Sequence, residues 1–277
     1  MPSISSSTTS FHLRQLCASL TGDLVGQMTS HDINTLVLPR FLELADDKVW
    51  GVRKNITEAM VAVTLKCDKK TRRDILIPLY EKMLDDKSRW VRMAAFSCLS
   101  KFILATLNFS EVIDEESEKE TLKSKTSSES YDSFTYWREP LPDVSKEVKS
   151  VSGPEKLVQH FASMTQDRLK QNVDGDITFR CAAGFASVCA TKLGLLFWSS
   201  HLRKTFLHLA KDLTWRVRRS IAANLDVIAE SLTPEIVSSE ITPIFMIYLK
   251  DSDEVKFAVL RIFASYFKHL KTEEQTT

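Results

Sequence analysis

Histidine and cysteine are the side chains that most often carry catalysis or bind metal ions. In this chain neither has the spacing of a metal-binding or catalytic motif. His201 and His208 are seven residues apart, which is two helical turns or ~10 Å along a helix axis. That distance is too long for the two rings to share one metal ion. The chain contains no P-loop, nucleophile elbow, dinucleotide fingerprint or paired-histidine zinc motif. The sequence therefore predicts no catalytic, cofactor-binding or metal site, and no enzyme.

The cysteines point to a reducing compartment. They are scattered through apolar segments without metal-binding spacing, which predicts buried thiols at Cys17, Cys67, Cys98, Cys181 and Cys189. The first ten residues lack the apolar stretch of a secretory signal. The most apolar stretch, residues 182–198, is too short and too broken by polar residues to cross a bilayer. We expect a protein of the cytoplasm, the nucleus or both, with no membrane partner.

Three repeat-like strings share an aspartate that is followed six residues later by an arginine. A carboxylate and a guanidinium form paired, charge-assisted hydrogen bonds, so this spacing predicts a ladder that links neighbouring repeats. Exposed pairs of this kind contribute only about 0–1 kcal/mol each, and the ladder is expected to set register more than stability. Solvated turn charges are the alternative interpretation. The predicted ladder residues are Asp47, Arg53, Asp86, Arg92, Asp212 and Arg218.

A tryptophan stands two or three residues before each of these arginines. One interpretation is that each indole packs over its own turn, with cation–π contacts from the repeat arginines. The other is a row of aromatic and arginine anchors for a partner protein. The second interpretation predicts a partner-binding surface made of Trp50, Arg53, Trp90, Arg92, Trp215 and Arg218.

These residues belong to a repeat of 39 residues, the offset between Pro39 and Pro78 and between Arg53 and Arg92. A weaker copy surrounds Pro243. Apolar residues recur at spacings of three and four on both sides of an Asp-rich break, which predicts two helices per unit. The prolines fall inside the first helix and should kink it. Stacked helix pairs of this length predict an all-α fold, an α-solenoid.

Composition agrees with a helical fold and argues against nucleic acid as a partner. The 277 residues include only 7 Gly and 8 Pro, fewer than turn-rich β folds need. The formal net charge is +1, whereas binding to nucleic acid needs a basic face.

An acidic linker is predicted to interrupt the solenoid. Residues 111–156 carry 7 Lys+Arg against 12 Asp+Glu, with few apolar side chains to bury. The predicted organisation is a disordered tail at 1–10, a repeat segment at 11–110, this disordered linker, a second repeat segment at 157–271 and a polar tail at 272–277. An aromatic element at 131–142 inside the linker is expected to dock, either onto the solenoid itself or onto a partner, through Tyr131, Phe134, Tyr136 and Trp137.

Four strings carry a family resemblance, in this order: LVLPRFLELADDKVWGVRK at 36–54, SRWVRMAAFSCLSKFI at 88–103, FTYWREPLP at 134–142 and DLTWRVRRS at 212–220. The Pro, Asp-Asp and Val-Arg pattern resembles the HEAT repeat of phosphatase scaffold subunits. Together the strings resemble the protein phosphatase 4 regulatory subunit 1 family. Residues 11–30 look like a second helix without its first, so a fragment or a shortened relative is expected.

This resemblance implies a non-catalytic regulatory or scaffold subunit of a serine/threonine phosphatase of the phosphatase 4 type. The implied partners are the phosphatase 4 catalytic subunit and phosphoprotein clients. The alternative is a HEAT-repeat adaptor of another class, such as a nuclear transport or assembly factor. Such receptors commonly have an acidic inner face, whereas the repeat segments here are mildly basic, with +4 over residues 11–110 and +2 over 157–277.

Overall fold

The computed structural model describes residues 11–107, 153–165 and 175–270 of the chain. Every regular element in these three ranges is a helix, and the predicted all-α class is confirmed. Most of the predicted linker and the two predicted tails lie outside the described residues. The first helix after the linker begins at Gly153, four residues before the predicted start of the second repeat segment.

Four of the described helices consist of an α-helical, a π-helical and a second α-helical segment that follow one another without a break. Residues 11–107 form α1 (Phe11–Val25), α2 (Ser30–Asp32, Ile33–Val37 and Leu38–Ala45), α3 (Trp50–Lys66), α4 (Lys69–Thr71, Arg72–Leu76 and Ile77–Leu84) and α5 (Arg89–Leu107). The later described helices are α6 (Gly153–Ser163), α7 (Gly175–Cys189), α8 (Lys192–Phe197, Trp198–Leu202 and Arg203–Ala210), α9 (Trp215–Ala222), α10 (Leu225–Glu230), α11 (Pro234–Ile236, Val237–Ile241 and Thr242–Tyr248) and α12 (Asp253–Phe267).

The helices form two layers, as expected for a solenoid. In one layer α1, α3, α5, α7, α9 and α12 pack side by side in chain order. In the other layer α2, α4, α8 and α11 each pack on the helix that follows. We call the first helix of each such pair helix A and the second helix B. Because α5 ends at Leu107 and packs directly on α7, which begins at Gly175, the first layer is continuous between these two helices.

The core lies between the two layers and is made of apolar side chains at helical spacing. Tyr80 of α4 stacks on Phe102 of α5 with ring centroids 3.8 Å apart, and its hydroxyl donates to the Ala95 carbonyl at 2.6 Å. Tyr248 of α11 donates in a similar way to the Ala210 carbonyl at 3.0 Å. Burial raises the pKa of Tyr80. These bonds satisfy polar groups that would otherwise be buried without a partner.

Each A helix contains one wide π-helical turn at an equivalent place. The turns are Ile33–Val37, Arg72–Leu76, Trp198–Leu202 and Val237–Ile241. The residue after each turn donates its N–H to the carbonyl five residues back, as Leu38 does to Ile33. Pro39, Pro78 and Pro243 follow three of the turns. The wide turn moves the preceding carbonyls away from the proline ring, so the helix continues through the proline.

The helix α5 is long and apolar enough to span a membrane by length and composition, as is the bent pair Ile177–Cys189 with Leu193–Ala210. The apolar residues of α5 pack against α3, α4 and α7, which accounts for its composition.

The cysteines are free thiols with differing exposure. Cys67, Cys181 and Cys189 are buried, and burial raises the pKa of Cys67 to about 11. The prediction of burial is wrong for Cys17, which is exposed, and Cys98 is half-buried. Cys17 lies on α1, which has no A helix among the described residues to cover that face.

Candidate binding surface along the turns

Three arginine–aspartate pairs join an A–B turn to the neighbouring unit. Arg53 at the start of α3 donates to Asp86 in the following turn through Nε at 2.8 Å and Nη2 at 2.9 Å. Arg218 forms the same two bonds to Asp251, at 2.8 Å and 2.7 Å. Arg14 donates to Asp47 through Nε at 2.6 Å and Nη2 at 3.3 Å. Donor and acceptor are 33 residues apart in every pair. We call each pair a rung.

The six-residue spacing between aspartate and arginine also gives each of two rung arginines a contact within its own turn. Arg53 donates through Nη1 to the backbone carbonyl of Asp47, six residues earlier, at 2.7 Å. Arg218 makes the same contact to the carbonyl of Asp212 at 2.7 Å. Arg53 and Arg218 therefore each hold their own turn by the backbone and the next turn by the carboxylate, and this fixes the position of successive units.

The aspartates also organise the backbone of their turns. Oδ1 of Asp86 accepts from the Ser88 N–H at 2.7 Å, and Oδ1 of Asp47 accepts from the Val49 N–H at 2.8 Å. Burial acts to raise the pKa of Asp86, but the hydrogen bonds from Arg53 and Ser88 outweigh it, and the pKa lies below its usual value. The rung carboxylates are therefore held in the charged form.

The rungs are more buried than turn charges on a surface. The side chains of Arg53 and Asp86 are 15% and 9% exposed, and those of Arg218 and Asp251 are 20% and 12% exposed. The estimate of about 0–1 kcal/mol for exposed pairs does not apply here, because removing one partner leaves the other charge largely desolvated.

Two of the predicted ladder residues have other surroundings. Arg92 holds its own turn through Nη1, at 2.6 Å from the Asp86 carbonyl and 3.1 Å from the Lys87 carbonyl. Within the described residues no carboxylate lies on its Nε–Nη2 edge. Asp212 is buried and accepts from the Thr214 N–H at 2.8 Å.

The three predicted tryptophans lie at the A–B turns and are exposed. Trp50, Trp90 and Trp215 are 46%, 56% and 38% exposed. Trp50 and Trp90 come from neighbouring units and stack with ring centroids 6.2 Å apart and an interplanar angle of 28°. This stacked pair is called the Trp platform below. Together with the turns 46–49, 85–88, 211–214 and 249–252, the tryptophans form the turn ridge.

The cation–π contacts involve different arginines from those that the sequence suggests. Arg89 lies 5.8 Å from the ring of Trp90, and Arg216 lies 5.8 Å from the ring of Trp215. Arg53 and Arg218 use Nε, Nη1 and Nη2 for the rungs and their own turns, so they position the turns beneath the exposed rings.

Three residues of this surface are missing from the sequence-based prediction. Arg14 and Asp251 complete rungs, and each stands 39 residues from a predicted ladder residue, so the repeat offset alone could have identified them. Leu213 is 96% exposed beside Trp215, and no spacing signals it. The linker residues Tyr131, Phe134, Tyr136 and Trp137 lie outside the described residues.

The fold and the repeated turns define a helical-repeat protein of the HEAT and armadillo type. Residues 76–104 match the HEAT repeat family model. A designed armadillo repeat protein is 13% identical with a TM-score of 0.53, and the match covers 94% of this chain and 96% of that one. Armadillo proteins designed for modular peptide recognition are 12% identical with a TM-score of 0.51 and cover 96% of both chains. At these identities the likeness shows the fold alone.

Within this class the similarity is to protein phosphatase 4 regulatory subunit 1. Residues 181–277 match the family model of its middle domain. The serine/threonine-protein phosphatase 4 regulatory subunits 1 of Homo sapiens and Rattus norvegicus are 39% and 40% identical over 122 residues. These matches confirm the predicted resemblance. They span 44% of this chain and 13% of each relative.

Proposed function

We propose that this chain is a non-catalytic regulatory or scaffold subunit of a serine/threonine protein phosphatase of the phosphatase 4 type. The similarity to phosphatase 4 regulatory subunit 1 supports the regulatory role. The observation that carries the mechanism is the turn ridge, in which exposed tryptophans stand on turns held by buried rungs. A row of exposed aromatic side chains suits protein binding, since tryptophans that become buried in an interface often contribute much of the binding free energy.

In this proposal the turn ridge holds the phosphatase 4 catalytic subunit, and other surfaces hold phosphoprotein clients. The chain makes and breaks no covalent bond. It acts by raising the effective concentration of a client at the catalytic subunit, an effect worth ~10²–10⁴ in avidity. The expected compartment is the cytoplasm, the nucleus or both.

A pull-down of this chain with the catalytic subunits of phosphatases 2A, 4 and 6 tests the proposal. We expect capture of the phosphatase 4 subunit above the other two. Substituting Trp50, Trp90 and Trp215 together with alanine should abolish capture, because each exposed ring is lost while the rungs stay intact. Leu36→Ala is the matched control, since Leu36 is 64% exposed but lies on helix α2, away from the turns. Capture that survives the triple substitution contradicts the placement on the ridge, and failure to capture any of the three subunits contradicts the function.

A further inference from the structure

Arg92 differs from the other turn arginines in what its guanidinium meets. Arg14, Arg53 and Arg218 each grip a carboxylate with Nε and Nη2. Arg92 has the same anchor as Arg53 and Arg218, two backbone carbonyls of its own turn, but no carboxylate on that edge among the described residues. The shared anchor orients the Nε–Nη2 edge of Arg92 as it orients the edges of Arg53 and Arg218, which meet the aspartate of the following unit. A preformed pair of parallel donors is the geometry that binds a carboxylate most strongly.

The Trp platform includes the turn of Arg92, because Trp90 stands two residues before Arg92 and stacks on Trp50 of the preceding unit. Its two rings stack between the turns 46–49 and 85–88. A segment that crosses these turns in chain order would meet Trp50, then Trp90 and then the Nε–Nη2 edge of Arg92. Such a segment could place an aromatic or aliphatic side chain on the rings and an acidic side chain on the arginine.

The net exposed charge around the platform is positive, with Asp85 as an exposed acid on the same turns. Lys48, Lys87 and Arg89 are exposed on these two turns. Three of the four turn aspartates are neutralised within the protein: Asp46 by Lys82, Asp47 by Arg14 and Asp86 by Arg53. The turn 249–252 has the opposite character, because no tryptophan follows it and the exposed Asp253 and Glu254 do. Positive charge therefore accompanies the tryptophans rather than the turns in general.

We propose that the Trp platform, Lys48, Lys87 and Arg92 form one docking surface for an acidic segment of a partner protein that carries an apolar side chain. A carboxylate of that segment takes, on Arg92, the bidentate place that Asp86 takes on Arg53. The apolar side chain packs on Trp50 and Trp90, and the lysines attract the remaining acids. This inference deepens the proposed function, on which it rests for the identity of the partner, by stating the chemistry of the segment that the ridge binds.

The test uses a fluorescently labelled synthetic peptide rich in aspartate and glutamate with a single central phenylalanine. Its fluorescence anisotropy is titrated with the whole chain. We expect saturable binding that weakens when salt is raised from about 50 mM to about 200 mM, since screening acts on exposed charges. A peptide with asparagine and glutamine at the acidic positions should not bind. If the acidic peptide fails to bind at low salt, the proposal is overturned.

Two variants locate the site. Arg92→Lys keeps the charge but loses the bidentate edge, and it should weaken peptide binding at least ~10-fold, which is about 1.4 kcal/mol. Replacing Trp50 and Trp90 with alanine should have an effect of similar size. Lys250→Ala removes an exposed lysine from the turn without a tryptophan and should leave the affinity unchanged. Circular dichroism of each variant checks that the helices are retained. Wild-type affinity in Arg92→Lys overturns the proposal.

Asp174 is the competing carboxylate within the chain. It lies outside the described residues and stands six residues before Arg180, the spacing that Asp47 has from Arg53. If Asp174 occupied Arg92, only the Asp174→Ala variant would bind the peptide, and that result overturns the proposal. Equal binding by wild type and Asp174→Ala supports it. The peptide assay contains no phosphatase, so its outcome can be read whether or not the chain captures a catalytic subunit.

Discussion

The helix pairs of residues 30–107 and those of residues 192–267 share their buried turn structure and differ in what they expose. Arg53–Asp86 and Arg218–Asp251 have the same two hydrogen bonds and the same separation of 33 residues. On the surface, the first region stacks Trp50 on Trp90. The second region has Trp215 beside Leu213, which occupies the position of Lys48 in the repeat.

This difference indicates that the buried and the exposed turn residues have separate roles. A rung is mostly buried. Removing one partner therefore leaves the other charge buried without compensation, which lowers the free energy of unfolding. The exposed positions carry no such constraint and can differ between units. We infer that the rungs maintain the stacking of the units, whereas the ring and charge composition of each turn decides what that part of the ridge binds.

Acid should weaken both regions most strongly, because it titrates every rung at once. The pKa values of Asp47, Asp86 and Asp251 lie below normal in the folded chain. Their contribution to stability is present above the ordinary aspartate pKa of about 3.9 and is lost as the pH falls through the lower folded values. The urea midpoint should be level between about pH 7 and pH 5 and fall steeply below about pH 4.

The matched variant for the acid experiment is Asp86→Asn, which removes one titrating rung. Its midpoint should be lower than that of the wild type at neutral pH and should fall less on acidification. A wild-type midpoint that does not change between about pH 6 and pH 3 would contradict the role of the rungs.

Removing one rung should destabilise the two regions equally. Arg53→Ala and Arg218→Ala should each lower the free energy of unfolding by about 3 kcal/mol, because each leaves a largely buried aspartate unpaired. Urea denaturation measures the loss. Arg40→Ala is the control, since Arg40 pairs with Glu43 with both side chains about half exposed, and it should cost less than about 0.5 kcal/mol. A loss below about 1 kcal/mol in either rung variant would show that the rungs are not equivalent.

The energetic coupling between tryptophans should be present within the first region and absent between the two regions. A double-mutant cycle on Trp50 and Trp90 should give an interaction free energy of about 0.5–1.5 kcal/mol, as expected for stacked aromatic rings. The same cycle on Trp90 and Trp215 should give no coupling within error, because these residues lie on α5 and α9, which are separated by α7. Absence of coupling in the first cycle would argue that the Trp platform does not persist in solution.

The smallest effect is expected where the two regions differ in proline. Lys204 follows the π-helical turn Trp198–Leu202 at the position that Pro39 and Pro78 occupy in their units. Lys204→Pro should change the free energy of unfolding by less than about 1 kcal/mol, whereas Lys101→Pro inside α5 should cost about 3 kcal/mol. Thermal or urea unfolding compares the two variants. Equal losses would mean that the wide turn does not accommodate proline.

Much of this arrangement could be predicted from the sequence because a repeat states the same structural requirement several times. The 39-residue offset was sufficient for helix pairs and for stacking, and together with the six-residue spacing from aspartate to arginine it indicated that Asp47, Arg53, Asp86 and Arg218 take part in the turns. The wide turns were not predictable in the same way. The proline at positions 39 and 78 indicates a disturbed helix, but Lys204 follows the same kind of turn without any such signal.

The amino-acid sequence by itself determined the helix pairs, their order and the positions of the turn residues, since these follow from local periodicity and from spacing along the chain. Only the tertiary structure decided which atoms of those residues meet. The carboxylate that Arg53 grips lies 33 residues ahead, while the aspartate six residues behind supplies a backbone carbonyl. The stacking of Trp50 on Trp90 is likewise a product of packing between units. Contacts between units depend on rise and rotation in three dimensions, which spacing along a chain does not specify.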